Sequence, residues 1–248
     1  MREWISKALS EHISIMRMKY FLASLAFFSI VGWGPFFFIH PTNKEPVGSQ
    51  GWYTREIQII DQQATNIDPE VVRLSLEAYV KAREEGLDNK EMVTIIDYSK
   101  PSTERRLWVV DIKNQRVLFN TWVTHGKNSG TVKATSFSNQ PGSLKSSLGV
   151  FLTTNKSYVG ENGYSLRVQG LEQGVNSNAY KRAIVFHGAW YATPEVAEKY
   201  GVLGRSWGCP AVSDKLVKPL IDTIKGSTLV FAYYPDRYWL KHSAFLAG

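Results

Sequence analysis

Cysteine is almost absent from this chain: Cys209 is the only one among its 248 residues. A single thiol cannot form a disulfide within the chain. It lies in the stretch Arg-Ser-Trp-Gly-Cys-Pro, where Gly208 leaves room for a substrate to approach the backbone. An apolar stretch before it ends on His187, and a histidine at a strand end can accept the thiol proton. The two residues predict a cysteine nucleophile with a histidine base, and a buried, inert thiol is the alternative.

Acidic residues are fewer than basic ones, and no long basic run occurs. The chain has 29 Lys and Arg against 22 Asp and Glu, a formal net charge of +7 and a pI of about 9.3. A basic surface favours polyanionic partners such as nucleic acid, anionic lipid or an acidic wall polymer. Because there is neither a basic run nor an RNA-binding signature, we expect no nucleic-acid partner. A basic surface kept for solubility is the alternative.

A long apolar run lies near the start of the chain, at residues 20–39, and basic residues precede it. Basic residues before a hydrophobic stretch are typical of export, and about 20 apolar residues span a bilayer. No small-x-small cleavage site follows, so residues 1–40 are either a signal peptide or a signal anchor. With the basic flank in the cytoplasm, the rest of the chain is expected in the cell envelope, periplasmic or otherwise extracytoplasmic.

The region after the apolar run divides into two predicted parts. Residues 41–66 are rich in Pro and Gly at their start and are predicted to be a linker. Asp68 as N-cap with Pro69 in the first turn predicts a helix, so residues 67–90 form an N-terminal helical segment. No internal repeat and no low-complexity tract are evident.

The remaining pattern is dominated by short, β-branched segments. Strands are predicted at 92–96, 107–111, 117–123, 149–153, 165–168, 183–186 and 228–234, with a long loop over 126–142. Short helices are predicted after Thr193 and Ser213, the second divided at Pro219. Residues 91–236 therefore predict a mainly β domain, antiparallel and β-sandwich-like with peripheral helices, and residues 237–248 a C-terminal tail.

The residues around the cysteine resemble a known catalytic motif. Residues 186–188, Phe-His-Gly, followed by residues 206–209, Ser-Trp-Gly-Cys, resemble the L,D-transpeptidase catalytic domain of bacterial wall synthesis. Segment 147–151 is similar to the family's upstream segment, in which a glycine and an aromatic residue lead a strand, and segments 170–172 and 178–180 are similar to its murein L,D-transpeptidase branch. The resemblance covers roughly residues 92–234 and implies that family's fold.

The resemblance also implies roles for four residues. Cys209 is the nucleophile, His187 its general base, Ser206 a brace for the loop or the histidine, and the amides around Gly208 hold the oxyanion. The stem tetrapeptide of peptidoglycan acylates the cysteine and loses its terminal D-alanine, and an amine acceptor then takes the acyl group. No metal and no organic cofactor are implied.

Pro210 restricts the backbone conformation of the loop that carries Cys209, called the nucleophile loop below. It has no N–H, and it biases Cys209 away from the α region, so Cys209 should lie outside a helix and the next helix should begin near Ser213. We therefore expect His187 to be the main stabiliser of a thiolate. The oxyanion donors are expected to be the amides of Cys209 and Gly208.

Residues that bind the substrate are less well defined by the pattern. Many family members have a polar residue, often Arg, two positions after the cysteine, where this chain has Ala211. Arg205 or Arg182 could replace it, and solvated surface arginines are the alternative. Neighbouring aromatics could wall the groove or pack as core. The predicted substrate-binding residues are Arg205, Trp207, Trp190 and Tyr191.

A second histidine competes for the role of base. His125 also ends an apolar stretch and precedes a glycine, so the pattern alone does not separate it from His187. The family resemblance favours His187.

Three functions follow from these observations. The first is an exported L,D-transpeptidase acting on peptidoglycan stem peptides, with membrane anchoring through residues 20–39 and an undetermined oligomeric state. The second is an L,D-carboxypeptidase or D-amino-acid exchange enzyme with the same chemistry. The third is a non-catalytic wall-binding module, which would need neither Cys209 nor His187.

Overall fold

The computed structural model of the chain describes residues 45–88 and 90–246. The predicted signal peptide or signal anchor, residues 1–40, lies outside the described residues. Among the helices that are described, none combines the length and the apolar character needed to cross a membrane.

The described part of the chain contains more strands than helices. The helices are α1 Gln50–Gln63, α2 Pro69–Glu84, α3 Pro194–Tyr200, α4 Asp214–Ile224 and α5 Arg237–His242. The strands are β1 Met92–Asp97, β2 Leu107–Asp111, β3 Arg116–Thr121, β4 Gly149–Thr153, β5 Tyr158–Gly160, β6 Gly163–Gly170, β7 Val185–Gly188, β8 Ala211–Val212 and β9 Leu229–Tyr233. The prediction of a mainly β fold is confirmed.

The strands form one sheet in the order β3-β2-β1-β9-β4-β6-β7-β8, with β5 paired to β6. Most neighbours are antiparallel, as predicted, but β1 pairs with β9 and β7 pairs with β8 in parallel. The chain between β7 and β8 contains α3, and a connection that carries a helix can return the chain to the same end of the sheet. The sheet is therefore mixed.

The middle of the sheet is buried. All residues of β1 and β2 are buried, and Trp108 and Phe231 have no exposed surface. Helix α2 packs against β1 and β9, while α4 packs against β6 and β7. The hydrophobic burial of these central strands stabilises the sheet, and the strands that carry the candidate site are part of the same sheet.

Helix α1 falls inside the predicted linker, so that prediction is wrong for residues 50–63. Ser49 caps the helix by accepting a hydrogen bond from the Trp52 amide. Residues at four-residue spacing, Trp52, Glu56 and Ile60, are buried, and the Trp52 ring stacks on Tyr79 of α2. Burial of this face against the domain makes the segment helical despite its polar composition.

Two further expectations about helices need correction. Helix α4 runs unbroken through Pro219, because this proline is exposed and water can satisfy the carbonyl that loses its amide partner. The predicted C-terminal tail contains α5, whose Trp239 is buried. The start of α2 at the Asp68 cap and the end of α3 at Gly201, with φ of 68°, are as predicted.

A buried carboxylate attaches α5 to the sheet. Glu172 accepts hydrogen bonds from the Val150 amide of β4 at 2.7 Å, from Trp239 Nε1 at 3.1 Å and from Ser243 Oγ at 2.5 Å. Burial raises the pKa of Glu172, and these donors partly offset the effect. Since each partner would lose a buried hydrogen bond without it, Glu172 joins the C-terminal helix to the strand next to β9.

Candidate active site

The site lies where β7 and β8 run side by side. His187 of β7 is opposite Ala211 of β8, and Cys209 precedes Ala211 by two residues. Cys209 lies outside any helix, and α4 begins at Asp214 after its N-cap Ser213, as Pro210 predicts. The parallel pairing therefore brings the nucleophile segment alongside the histidine strand.

The thiol of Cys209 is buried, with 9% of the residue exposed. Its Sγ accepts a hydrogen bond from the Val185 amide at 3.4 Å and donates towards the Ala183 carbonyl at 3.7 Å. Burial raises the pKa of the Cys209 thiol, while the Val185 amide and the charge of Arg182 lower it in part. Burial thus favours the protonated thiol, and the expectation that His187 is the main stabiliser of a thiolate stays a prediction.

The His187 ring has a defined tautomer in its neutral form. Its Nδ1 is 2.8 Å from the Gly188 carbonyl, which can only accept, so Nδ1 carries the proton and Nε2 has a free lone pair. Burial lowers the pKa of His187, whereas the Gly188 carbonyl and Asp214 raise it. Within residues 45–88 and 90–246, no hydrogen bond joins His187 to Cys209. Catalytic contacts are often longer before substrate binds.

His125 cannot serve as the base in this arrangement. Arg106 donates to its Nδ1 at 2.8 Å, so the proton lies on Nε2, which donates to the Gly130 carbonyl at 3.2 Å. Burial and the adjacent charge of Arg106 lower the pKa of His125 to about 4. Both ring nitrogens of His125 are engaged, whereas Nε2 of His187 has no hydrogen-bond partner in the described part of the chain.

Ser206 holds the nucleophile loop rather than the histidine. Its Oγ donates to the Cys209 carbonyl at 2.6 Å and accepts from the Gly208 amide at 3.1 Å. Its own amide donates to the His125 carbonyl at 3.0 Å. These contacts close a tight turn over residues 206–209, which answers the question that the sequence left open for Ser206.

Only glycine fits at position 208. Its φ is +124°, and a Cβ would lie 2.7 Å from the Lys145 carbonyl oxygen. Because the Gly208 amide donates to Ser206, the expectation that this amide is a free oxyanion donor is wrong. The amide of Cys209 has no acceptor in the described part of the chain, so it is the donor left for an oxyanion.

An aromatic groove of about 470 Å³ includes Arg205, the residue before Ser206, in its lining, whereas neither Cys209 nor His187 lines it. Trp190, Tyr191 and Arg205 line it together with Lys127, so three of the four predicted substrate-binding residues come together. Trp190 is 71% exposed and meets the Tyr191 ring edge-on. Trp207, 73% exposed, is not part of the lining, although the Lys127 ammonium lies 6.0 Å from its ring centroid.

The two candidate arginines differ in the hydrogen bonds that they already make within the protein. The guanidinium of Arg182 donates to Ser138 O at 2.6 Å, Ser147 Oγ at 2.5 Å, Ser143 Oγ at 3.2 Å and Lys145 O at 2.5 Å. Arg205 is exposed and makes only 3.4 Å contacts to the carbonyls of Lys127 and Gly130. Arg182 therefore holds a loop in place, while Arg205 is available to a ligand.

A model of the L,D-transpeptidase catalytic domain family matches residues 63–233. The chain belongs to this family, and the resemblance inferred from the histidine and cysteine motifs is confirmed. No curated protein matches the chain.

Solved structures of L,D-transpeptidases are similar at low identity. One from Mycobacterium smegmatis is 13% identical over 58% of this chain and 59% of that chain, with a TM-score of 0.34. Mycobacterium tuberculosis L,D-transpeptidase 1 is 12% identical over 58% and 62%, with a TM-score of 0.33. One from Stackebrandtia nassauensis is 12% identical over 72% and 76%, with a TM-score of 0.35. The chain thus spans less than two thirds of the mycobacterial chains.

The buried thiol predicts a characteristic pH dependence of alkylation. Because only the thiolate is nucleophilic, and burial raises the pKa of Cys209, we expect iodoacetamide to react faster as pH rises from about 7 to 9, without levelling off. Mass spectrometry of the modified protein over time measures the rate. His187→Ala should leave the profile unchanged, since no hydrogen bond joins the two side chains. A plateau already reached at about pH 7 would show a preformed thiolate and contradict this assignment.

Proposed function

We propose that the chain is a peptidoglycan L,D-transpeptidase that forms a thioester between Cys209 and a stem tetrapeptide. The observation that supports this most strongly is the pairing of β7 with β8. Cys209, on a loop braced by Ser206, lies two residues before Ala211, the strand partner of His187, and the Nδ1 of that histidine is fixed by Gly188. A binding module would need neither the free Nε2 nor the unpartnered amide of Cys209.

Acylation proceeds with His187 as general base. As Sγ attacks the carbonyl before the terminal D-alanine, its proton moves to His187 Nε2 and the S–C bond forms. The carbonyl oxygen becomes an oxyanion next to the Cys209 amide. The imidazolium then donates its proton to the leaving amine, the C–N bond breaks and D-alanine departs.

Deacylation repeats these steps with a different nucleophile. The acceptor amine attacks the thioester carbonyl and gives a proton to Nε2. The new C–N bond forms, the C–S bond breaks, and the sulfur recovers its proton from the imidazolium. Because burial favours the neutral forms of Cys209 and His187, the proton moves during attack rather than before it.

Charge and aromatic surface in the groove suit a peptide that carries carboxylates. Arg205 and Lys127 supply positive charge, and Trp190 and Tyr191 supply flat apolar walls. We assign the stem peptide to this groove, with Arg205 near a carboxylate of the donor. The chain would meet this polymer outside the cytoplasm, after export by the apolar run at residues 20–39, which stays in the membrane or is removed.

Product analysis tests the proposal and separates it from its closest alternative. The full chain is incubated with a defined disaccharide-tetrapeptide and an amine acceptor, and products are identified by liquid chromatography and mass spectrometry. A cross-linked tripeptide and free D-alanine are expected. Tripeptide without cross-link would identify an L,D-carboxypeptidase, and exchange of the terminal residue would identify an exchange enzyme. Products made equally by Cys209→Ala would exclude all three.

A further inference from the structure

The peptide group between Gly208 and Cys209 is held from a distant part of the chain. Its carbonyl, Gly208 O, accepts a hydrogen bond from Ser146 Oγ at 3.1 Å. The two residues are 62 positions apart, and Ser146 is fully buried. Water cannot replace this contact without entering the interior, so the bond has one available donor.

Ser146 is itself fixed by contacts that do not involve the nucleophile loop. Its amide donates to Ser129 Oγ at 2.9 Å, and its carbonyl accepts from the Ser138 amide at 3.0 Å. Its Oγ accepts from the Gly126 amide at 3.0 Å. A hydroxyl has one proton and the Gly126 amide can only donate, so of these two partners Gly208 O is the acceptor of the Ser146 proton.

The planar peptide group couples the orientation of its carbonyl to the orientation of its N–H. In a trans peptide the N–H points opposite to the C=O, so a bond that fixes Gly208 O also fixes the direction of the Cys209 amide. That amide has no acceptor among residues 45–88 and 90–246. Ser206 holds the two neighbouring peptide groups through the Gly208 amide and the Cys209 carbonyl. The orientation of the peptide group between them, which carries the Cys209 amide, depends on the hydrogen bond from Ser146.

We propose that Ser146 is a positioning residue that aims the Cys209 amide at the oxyanion formed during acyl transfer. This rests on the proposed function only in that acyl transfer generates an oxyanion. Ser146 does not touch the substrate or the sulfur. Without its hydroxyl, the Gly208–Cys209 peptide group can rotate, since glycine permits the required backbone change, and the donor leaves its position.

The experiment compares two reactions of the same thiol in the full chain. Acylation by 4-nitrophenyl acetate passes through a tetrahedral oxyanion, whereas alkylation by iodoacetamide does not. We expect Ser146→Ala to slow acylation roughly 10- to 100-fold, the order that a misplacement of about 1 Å costs, and to leave alkylation within about twofold. Ser75→Ala is the matched control: it removes another fully buried serine hydroxyl, which donates to Val72 O in α2, and should change neither rate.

Two results would overturn the proposal: an equal loss in both reactions, which indicates a general disturbance of the loop, or no loss in acylation. If Ser146→Ala does not fold, Ser129→Ala removes the acceptor of the Ser146 amide and should give a smaller loss confined to acylation. Neither reagent resembles a stem peptide. A chain that fails to cross-link muropeptides but shows the selective loss would therefore contradict the proposed function and not the role of Ser146.

Discussion

Replacing Cys209 by alanine is expected to abolish both acyl-enzyme formation and cross-linking while the protein stays folded. The chain has no other thiol, so no other side chain can form a thioester. The hydrogen bonds of Sγ to Val185 at 3.4 Å and to Ala183 at 3.7 Å are long, so although Cys209 also packs in the core, its truncation to alanine should cost little stability, on the order of 1 kcal/mol. Intact-mass spectrometry after incubation with tetrapeptide measures the adduct, and thermal denaturation measures the fold.

Cys209→Ser is the companion variant, because it keeps the size of the side chain and replaces the thiol with a much less acidic hydroxyl. It should also fail to accumulate an adduct, since a neutral base such as His187 does not activate a hydroxyl as readily as a thiol. Cross-linking by the alanine variant at a substantial fraction of the original rate would refute the assignment of the nucleophile.

Replacing His187 by alanine should lower the rate of cross-linking by about 10²–10⁴-fold, the usual loss for a missing general base. In the proposed mechanism its Nε2 accepts the thiol proton, while the Gly188 carbonyl keeps Nδ1 protonated. Steady-state rates with a defined tetrapeptide donor and an amine acceptor measure the effect.

His125→Ala is the matched comparison, since it should affect stability more than rate. This side chain accepts a hydrogen bond from the fully buried Arg106, so its loss removes one of the buried hydrogen bonds of that guanidinium and leaves a cavity, which should destabilise the fold. We expect a lower melting temperature and a smaller loss of rate than for His187→Ala, when both are measured well below the transition. The reverse order of rate losses would make His125 the base.

Much of the fold was predictable because local signals determine it. Alternating or β-branched runs gave β1, β2, β4 and β9, and the caps at Asp68, Thr193 and Gly201 set helix ends within a residue or two. These signals depend on neighbours within one turn or one strand. Where the structure differs, the cause is an interaction with a distant part of the chain.

Several elements were not predictable for that reason. Helix α1 is polar overall, and only its burial against α2 selects the helical state. Strands β5 and β8 have three and two residues, too few to show an alternating pattern. The parallel pairing of β7 with β8 depends on the path of the chain through α3, which no local pattern encodes.

In the candidate site, too, some features follow from the local sequence and others from contacts with distant parts of the chain. The identity of Cys209, His187 and Ser206 follows from a short motif, whereas the state of the site does not. The burial that raises the pKa of the thiol comes from the surrounding fold. The Gly208 amide is unavailable because it donates a hydrogen bond to Ser206 within the folded loop. The Gly208 carbonyl accepts a hydrogen bond from Ser146, which is 62 residues away in the sequence. A motif identifies which residues react, but hydrogen bonds across the fold decide which donors are free.

Rapid-quench mass spectrometry of the full chain during turnover tests the central claim most directly. The enzyme is mixed with a defined tetrapeptide donor and an amine acceptor, quenched in acid and digested, and the modified peptide is sequenced. The account predicts an adduct equal to the donor less D-alanine, attached to Cys209, which forms before cross-linked product and disappears once the donor is exhausted while acceptor remains. Product that accumulates while Cys209 stays unmodified, or an adduct on another residue, would contradict it.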